Sequence, residues 1–229
     1  MSFDFAYLIE VAPILGRAAL ITVALALAAY MLALVVGLAI AFGKLSQVRA
    51  LSRTVHAVSE FVRLTPLLVQ LFFAFYVLPE YGIALPAAPT GILVIGLHYA
   101  TYTSEVYRTG ILALDRGQWE AARSLGLRNY TIWTRVILPQ AVPPMIPALG
   151  NYLIQLFKEV PLLSTITVYE LLNTANLLAN RSFRYVEVLT AVGVIFFAIS
   201  FPASRFFAWL ERRRDPGGRA ALPQPGSNA

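Results

Sequence analysis

The chain has 229 residues, of which 58% are hydrophobic and 13% charged, with a mean hydropathy of +0.67. A soluble domain needs a polar surface that this composition cannot supply, so the chain is predicted to be an all-α membrane protein. The net charge of +6 could indicate a nucleic-acid partner, but the basic residues lie between apolar runs, which favours a role in membrane topology and no nucleic acid.

The first predicted crossing is the uncharged run over residues 18–43, which is long enough to span a bilayer alone. A second crossing is predicted over residues 58–78. Thr65 and Pro66 suit an N-cap and a first helical position there, and Pro79 ends the stretch.

Three further crossings follow, over residues 90–109, 140–160 and 186–210. The earliest of them places His98, Tyr102, Glu105 and Thr109 on one helical face, which should avoid lipid. The proline-rich run over 140–160 is expected to be a kinked or interrupted helix that faces protein or water.

Five crossings put the two ends of the chain on opposite sides of the membrane, and the positive-inside rule places the N-terminus outside. This orientation puts 14 of the 18 basic residues on the cytoplasmic side. We therefore expect one transmembrane domain over residues 1–212, with a cytoplasmic loop at 111–139. Residues 213–229 are rich in proline, glycine and small polar types and are predicted to be a disordered cytoplasmic tail.

The charged stretch EAARSLGLRNYTIWTRVILP, residues 120–139, stands out in this apolar chain. It predicts two short amphipathic helices at the membrane surface with a turn at Gly126. Glu120 is expected in the first helical turn, where the macrodipole favours a carboxylate, and Ala121 and Ala122 would let a partner pack closely. On physical grounds alone, an ordinary loop with basic anchors remains an equal alternative.

The spacing in this stretch resembles the cytoplasmic loop of the membrane permease subunits of bacterial ABC importers. That loop carries Glu-Ala-Ala, three residues, Gly, nine residues and then Ile-x-Leu-Pro. The matching residues here are Glu120, Ala121, Ala122, Gly126, Leu138 and Pro139, with Val136 in place of the isoleucine. The stretches RLTPLLVQLFF, LPQAVPPMIPALGNYLIQLFKE and LLSTITVYELL are similar to the branch that imports polar amino acids of the histidine, glutamine and arginine type. LFKEVPLLSTITVYELL also resembles permeases for ectoine-type compatible solutes.

The resemblance implies a type I ABC importer transmembrane domain whose coupling helix, at about residues 118–127, docks onto a separate cytoplasmic ATPase dimer. ATP-Mg would be used by that partner, so this chain would bind no cofactor and catalyse no reaction. The resemblance also implies a second permease subunit, identical or related, an extracytoplasmic solute-binding protein, and a place in the lipid of the bacterial cytoplasmic membrane.

Polar groups at membrane depth usually face a water-filled path or bind something. We expect Glu159, with help from Lys158, to meet the charged groups of a small zwitterionic or cationic solute. The alternative is that the two residues form an outer-surface pair with no ligand. Gln70, Thr103 and Ser164 are weaker candidates for the solute path, and each also suits a helix–helix hydrogen bond.

Two other classes of protein are alternatives to the importer. A self-contained secondary transporter could be driven by protons through Glu105 or Glu159. A membrane enzyme is disfavoured because the sequence contains no His-Glu-x-x-His or Gly-x-Ser-x-Gly motif. His98 and Glu105 fall short of a metal shell, so no metal site is predicted.

Overall fold

A computed structural model describes residues 3–214, which are helical and contain no strand. The α-helices are α1 (Phe5–Lys44), α2 (Arg49–Leu64), α3 (Leu67–Phe72), α4 (Ala87–Leu112), α5 (Arg116–Ser124), α6 (Asn129–Thr131), α7 (Leu138–Glu159), α8 (Leu171–Ser182) and α9 (Tyr185–Arg214). Segments Phe73–Val77 and Ile132–Ile137 are π-helical, and Leu78–Tyr81 and Val160–Ile166 are 3₁₀-helical. From residue 215 onward, the predicted disordered tail lies outside the described residues, whereas 213 and 214 still belong to α9.

Helix α1 is 40 residues long and begins at Phe5, well before the predicted crossing at 18–43. Asp4 caps its N-terminus by accepting a hydrogen bond of 3.1 Å from the backbone N–H of Tyr7. The helix packs along α4 through small residues. At Gly37 a Cβ atom would lie only 2.0 Å from the Thr103 hydroxyl oxygen, so the close approach of the two helices depends on this glycine.

The segment predicted as a single crossing over 58–78 is broken. Helix α2 ends at Leu64, and the segment that starts at Leu67 is bent by 99° from it. Thr65 is the C-cap of α2 and Pro66 the N-cap of α3, so the predicted roles of these two residues are wrong. Proline disfavours helical geometry in the residue before it, and Thr65 accordingly adopts an extended backbone.

Helices α1, α4 and α7 enclose the main core, whose fully buried members include Leu71, Ile95, Leu156 and Ile166. Helix α7 contains Pro143, Pro144 and Pro147 without leaving α-helical geometry. Its irregular backbone lies at its two ends instead, in the π-helical segment before Leu138 and the 3₁₀ segment after Glu159.

Among the described residues, two helices are long and apolar enough to cross a membrane, Phe5–Lys44 and Tyr185–Arg213. A third crossing is added if the bent pair Arg49–Leu64 and Leu67–Tyr81 is one span. Helix α8, which the sequence did not predict, packs against α1 and α9 through buried Leu171, Ala175 and Ala179.

Candidate functional site

Helix α5 lies in the charged loop between α4 and α7. It begins at Arg116, two residues before the predicted start, because Asp115 occupies the N-cap and accepts a hydrogen bond of 2.7 Å from Gly117 N–H. Glu120 therefore lies beyond the first helical turn, and its predicted position there is wrong. Its side chain is exposed.

The turn after α5 is a Schellman motif centred on Gly126. Leu127 N–H donates to Ala122 O at 3.3 Å, and Gly126 N–H donates to Arg123 O at 2.9 Å. Gly126 has a φ of +67°, the left-handed conformation that favours glycine, so the predicted turn is confirmed. A Cβ atom on Gly126 would meet no other atom within 4 Å, which leaves its outer side open.

The two alanines of α5 differ in exposure. Ala122 is 3% exposed and packs against Ile132 and Ile137 inside its own subunit, so the predicted close approach of a partner at Ala122 is wrong. Ala121 is exposed. The sequence could not separate the two because each is small and each belongs to the same motif.

The outward side of this loop is apolar at two prominent positions. Leu125 is 77% exposed and Tyr130 is 78% exposed. Together with Glu120, Ala121 and Gly126 they form what we call the coupling surface. Leu138 and Pro139, the end of the motif, are exposed at the start of α7.

Beneath the coupling surface, aromatic side chains connect α5 to the helix bundle. The rings of Trp119 and Trp133 are 5.1 Å apart, and that of Phe42 on α1 lies 6.0 Å from Trp133. Met145 of α7 and Ile111 of α4 belong to the same apolar cluster. Direct packing therefore connects α5 to α1, α4 and α7.

A buried charge network lies next to this cluster. Lys44, whose side chain is fully buried, donates to Glu105 Oε1 at 2.7 Å and to Ser104 Oγ at 2.9 Å. Arg108 Nε donates to Glu105 Oε2 at 2.8 Å. The backbone carbonyl of Lys44 accepts from Ser52 Oγ at 2.8 Å, so the network joins α1, α2 and α4.

A second group of polar side chains lies between α4 and α7. His98, Tyr99 and Tyr102 of α4 and Tyr152 and Glu159 of α7 form what we call the polar patch. The ring of Tyr102 lies 5.4 Å from that of His98 and 5.5 Å from that of Tyr152. The Glu159 carboxylate is half-buried beside the Tyr99 hydroxyl. Its Oε2 atom is buried without a hydrogen-bond partner in the described part of the chain.

The structure separates Lys158 from Glu159. Lys158 is exposed and lies beside Phe196, Phe197 and Ser200 of α9, on a different face of α7 from Glu159. Among residues 3–214 the two form no ion pair with each other, and the role of Glu159 in the solute path stays a prediction. Consecutive residues of a helix point about 100° apart, which explains the separation.

The three weaker candidates make hydrogen bonds within the chain. Gln70 Nε2 donates to Val62 O at 2.7 Å and to Thr65 O at 2.9 Å, and lies 3.2 Å from His98 Nδ1, so it ties the bend between α2 and α3 to α4. Thr103 Oγ1 donates to Ala33 O at 2.8 Å. Ser164 Oγ donates to Pro161 O at 2.7 Å.

Sequence reasoning missed Tyr99 and Tyr152 as members of the polar patch. It did place His98 and Tyr102 on one face of a helix, but Tyr152 joins them only through the packing of α7 on α4. Within residues 3–214, no group of three or more histidine, aspartate and glutamate side chains could hold a metal ion.

These features together define a helical membrane subunit with a rigidly packed helix presented at one end of the bundle. A solved "amino acid ABC transporter with histidines" has the same fold, with a TM-score of 0.85 and 32% identity over 93% of this chain and 100% of that one. The chain also matches the family "Binding-protein-dependent transport system inner membrane component" over residues 33–216. It belongs to that family.

Two relatives with curated descriptions agree with this assignment. The "Probable amino-acid ABC transporter permease protein y4tG" of Sinorhizobium fredii is 44% identical over 201 residues, 88% of this chain and 87% of the relative. The "L-cystine transport system permease protein TcyB" of Bacillus subtilis is 34% identical, over 89% of this chain and 87% of the relative.

The chain is thus a membrane permease subunit with the type I ABC importer fold, a transport component and not an enzyme. Permease subunits of this kind bind no cofactor themselves. The family implies ATPase and binding-protein partners. The comparisons give no support to the alternative of a self-contained proton-coupled transporter.

Proposed function

We propose that the chain carries a polar amino acid across the bacterial cytoplasmic membrane, as one of a pair of identical or related permease subunits. An ATPase dimer on the cytoplasmic side hydrolyses ATP-Mg and docks at the coupling surface. An extracytoplasmic solute-binding protein delivers the cargo. The amino-acid and L-cystine permeases among the relatives support this class of solute.

The observation that carries the docking proposal is the combination of an open outer side and a packed inner side on α5. Exposed Leu125 and Tyr130 offer apolar contact area to a partner, while buried Ala122 and the two tryptophans fix the helix from beneath. A helix packed in this way transmits force, because it cannot move independently of the bundle. Helix α7 begins at Leu138 and Pro139, where the chain passes from the coupling loop back into the bundle.

The docking proposal is tested with Ala121→Arg and Gly126→Asp in the complete transporter. Both variants should insert at the normal level and lose coupling between ATP hydrolysis and uptake. Ala113→Arg, an equal change at an exposed position of the same loop, should transport normally. Gly126→Asn controls for backbone strain, because asparagine tolerates a positive φ without adding charge. Normal uptake by Ala121→Arg and Gly126→Asp would refute docking at this surface.

For the solute, we propose that Glu159 contacts the cationic group of the amino acid within the polar patch. A buried carboxylate oxygen without a partner is a free acceptor, and an ammonium group satisfies it. Lys158, Gln70, Thr103 and Ser164 are the secondary candidates along the path. Of these, Lys158 faces α9 and the other three already donate hydrogen bonds within the chain.

Glu159→Gln tests this site, with Lys158→Gln as the adjacent control. Losing a charge-assisted hydrogen bond should raise the solute concentration for half-maximal uptake by about 10- to 100-fold. Lys158→Gln should have the smaller effect. Glu159→Gln with unchanged affinity and rate would remove Glu159 from the path while leaving the docking proposal intact.

We further propose five crossings, made by α1, the α2–α3 pair, α4, α7 and α9, with the N-terminus outside and the coupling surface in the cytoplasm. The distribution of the basic residues supports this orientation. Because the chain has no cysteine, Ala113→Cys, at an exposed position of the same loop outside the coupling surface, provides a single reporter. A membrane-impermeant thiol reagent should label it in inside-out vesicles and not in right-side-out vesicles; the reverse result would invert the topology.

A further inference from the structure

Helix α2 has three distinct faces. One face, with Val55 and Ser59, packs against the rest of the bundle, where Val55 contacts Gly43 of α1. The second face is apolar and exposed, with Leu51 at 48%, Val58 at 57% and Phe61 at 71% exposure. The third is a row of polar side chains that recur every three or four residues, which we call the polar stripe: Arg49, Arg53, His56, Glu60 and Arg63.

The polar stripe leads from the cytoplasmic end of α1 into the bundle. At its start, Ser52 hydrogen-bonds to the last residue of α1. At its other end, Val62 O accepts from Gln70, which also contacts His98 of the polar patch. The polar stripe and the polar patch are therefore continuous.

The side chains of the polar stripe make no ion pair and no hydrogen bond with one another or with any other side chain or backbone group in residues 3–214. This differs from Lys44 and Glu105, which are paired with each other. Charged groups that lack a protein partner inside a membrane protein must face water or a solute. Because the neighbouring face of α2 is apolar, the polar stripe is the exposed face of this helix that would contact water.

We propose that the polar stripe lines the cytoplasmic half of the solute path and receives the carboxylate of an amino acid as it leaves the polar patch. This inference rests on the proposed function and adds a specificity determinant to it. Three arginines and one glutamate give the stripe a net positive charge. Guanidinium groups bind carboxylates in a bidentate manner. The stripe therefore favours solutes with a free carboxylate and disfavours those with excess positive charge.

Single cysteines test the lining, since the chain itself has none. Arg53→Cys, Glu60→Cys and Arg63→Cys are compared with Leu51→Cys, Val58→Cys and Phe61→Cys in the complete transporter, using a negatively charged thiol reagent from the cytoplasmic side. The polar-stripe cysteines should react, and the apolar-face cysteines should react about 10-fold more slowly because lipid excludes the charged reagent. Saturating amino acid should protect position 63 more than position 53.

Equal labelling of both faces would show that α2 lies free in the cytoplasm, and no labelling of the polar stripe would show that a second permease subunit covers it. Either result overturns the proposal. A fully cysteine-free transporter with no ATP-driven uptake would instead count against the proposed function. The two failures are therefore distinguishable.

Charge substitutions test the specificity. Arg63→Gln should slow uptake of a zwitterionic amino acid about 5-fold, the equivalent of about 1 kcal/mol for a partly hydrated charge pair. The same variant should raise uptake of a cationic amino acid relative to a zwitterionic one, whereas Arg63→Lys should restore the original ratio. Leu51→Gln, on the apolar face, should leave the ratio unchanged. A ratio unchanged in Arg63→Gln would overturn the proposed role of Arg63.

Discussion

The two ends of the helix bundle hold their buried carboxylates in different ways. Near the coupling surface, Glu105 is neutralised by two cations, Lys44 and Arg108. At the opposite end, buried Glu170 accepts hydrogen bonds from the backbone N–H groups of Leu172 and Asn173, at 2.9 Å and 2.7 Å, and from no other group among residues 3–214. Glu159, toward the same end of α7, faces a tyrosine hydroxyl and forms no ion pair within the described part of the chain.

The carboxylate near the coupling surface is therefore held in a closed ion-pair network, whereas Glu159 and Glu170 at the opposite end have no countercharge among residues 3–214. An ion pair closed on both sides leaves no capacity for a solute, so the Lys44 network holds α1, α2 and α4 in register above the coupling loop. A carboxylate held by neutral donors can still take up a proton or a cationic group. In the proposed function, force transfer and solute contact therefore take place at opposite ends of α7.

The largest effect is expected from Glu105→Gln, which removes the countercharge of Lys44. Because the Lys44 side chain is fully buried, leaving it unpaired should lower the free energy of unfolding by up to about 3 kcal/mol. The partial exposure of Glu105 reduces this effect. Thermal unfolding of the purified subunit in detergent measures the change. The double variant Lys44→Met with Glu105→Met should recover part of the lost stability. If Glu105→Gln alone were as stable as the native chain, the Lys44 network would not hold these helices together.

A moderate effect of pH on the melting temperature is expected from Glu170, which lies between the proposed crossings of α7 and α9. Burial raises the pKa of Glu170 from 4.5 to about 7, so the folded chain favours the protonated carboxyl. The contribution to stability is complete below about pH 4.5 and is lost as the pH rises through about 7. The melting temperature should fall over this range in the native chain. Glu170→Gln should lack this component, and identical pH profiles would contradict it.

The coupling loop was largely predictable because its signals are local. Gly126 lies in a turn that glycine favours, and the alternation of charged and apolar residues marks short surface helices. The position of Glu120 was mistaken because Asp115, five residues earlier, is a better N-cap. The turn at Gly126 and the N-cap at Asp115 each depend on residues only one or two helical turns away.

The charge network and the polar patch were less predictable because they depend on packing between distant helices. Glu105 meets Lys44 across 61 residues of sequence, and Tyr152 joins Tyr102 only when α7 packs on α4. The break at Pro66 did have a local signal, but the apolar run on its C-terminal side favoured a single crossing. Helix α8 ends at Ser182, and its C-cap Phe183 has a φ of +57°, where the sequence offers no glycine to mark the stop.

The smallest effect is expected at the N-terminal end of α1, where Asp4 and Arg184 form an exposed ion pair. The backbone N–H of Tyr7 and the Arg184 guanidinium lower the pKa of Asp4, so its contribution to stability is present above pH 3.8 and is lost as the pH falls through the lowered value. Arg184→Gln removes only the solvent-screened part and should scarcely change the melting temperature at neutral pH. Asp4→Asn should have the larger effect, because the Asp4 carboxylate also caps α1 in the favourable field of the helix N-terminus. If Arg184→Gln destabilised the chain as much as Glu105→Gln, the exposed pair would be as tightly held as the buried one, and the contrast between the two ends of the bundle would fail.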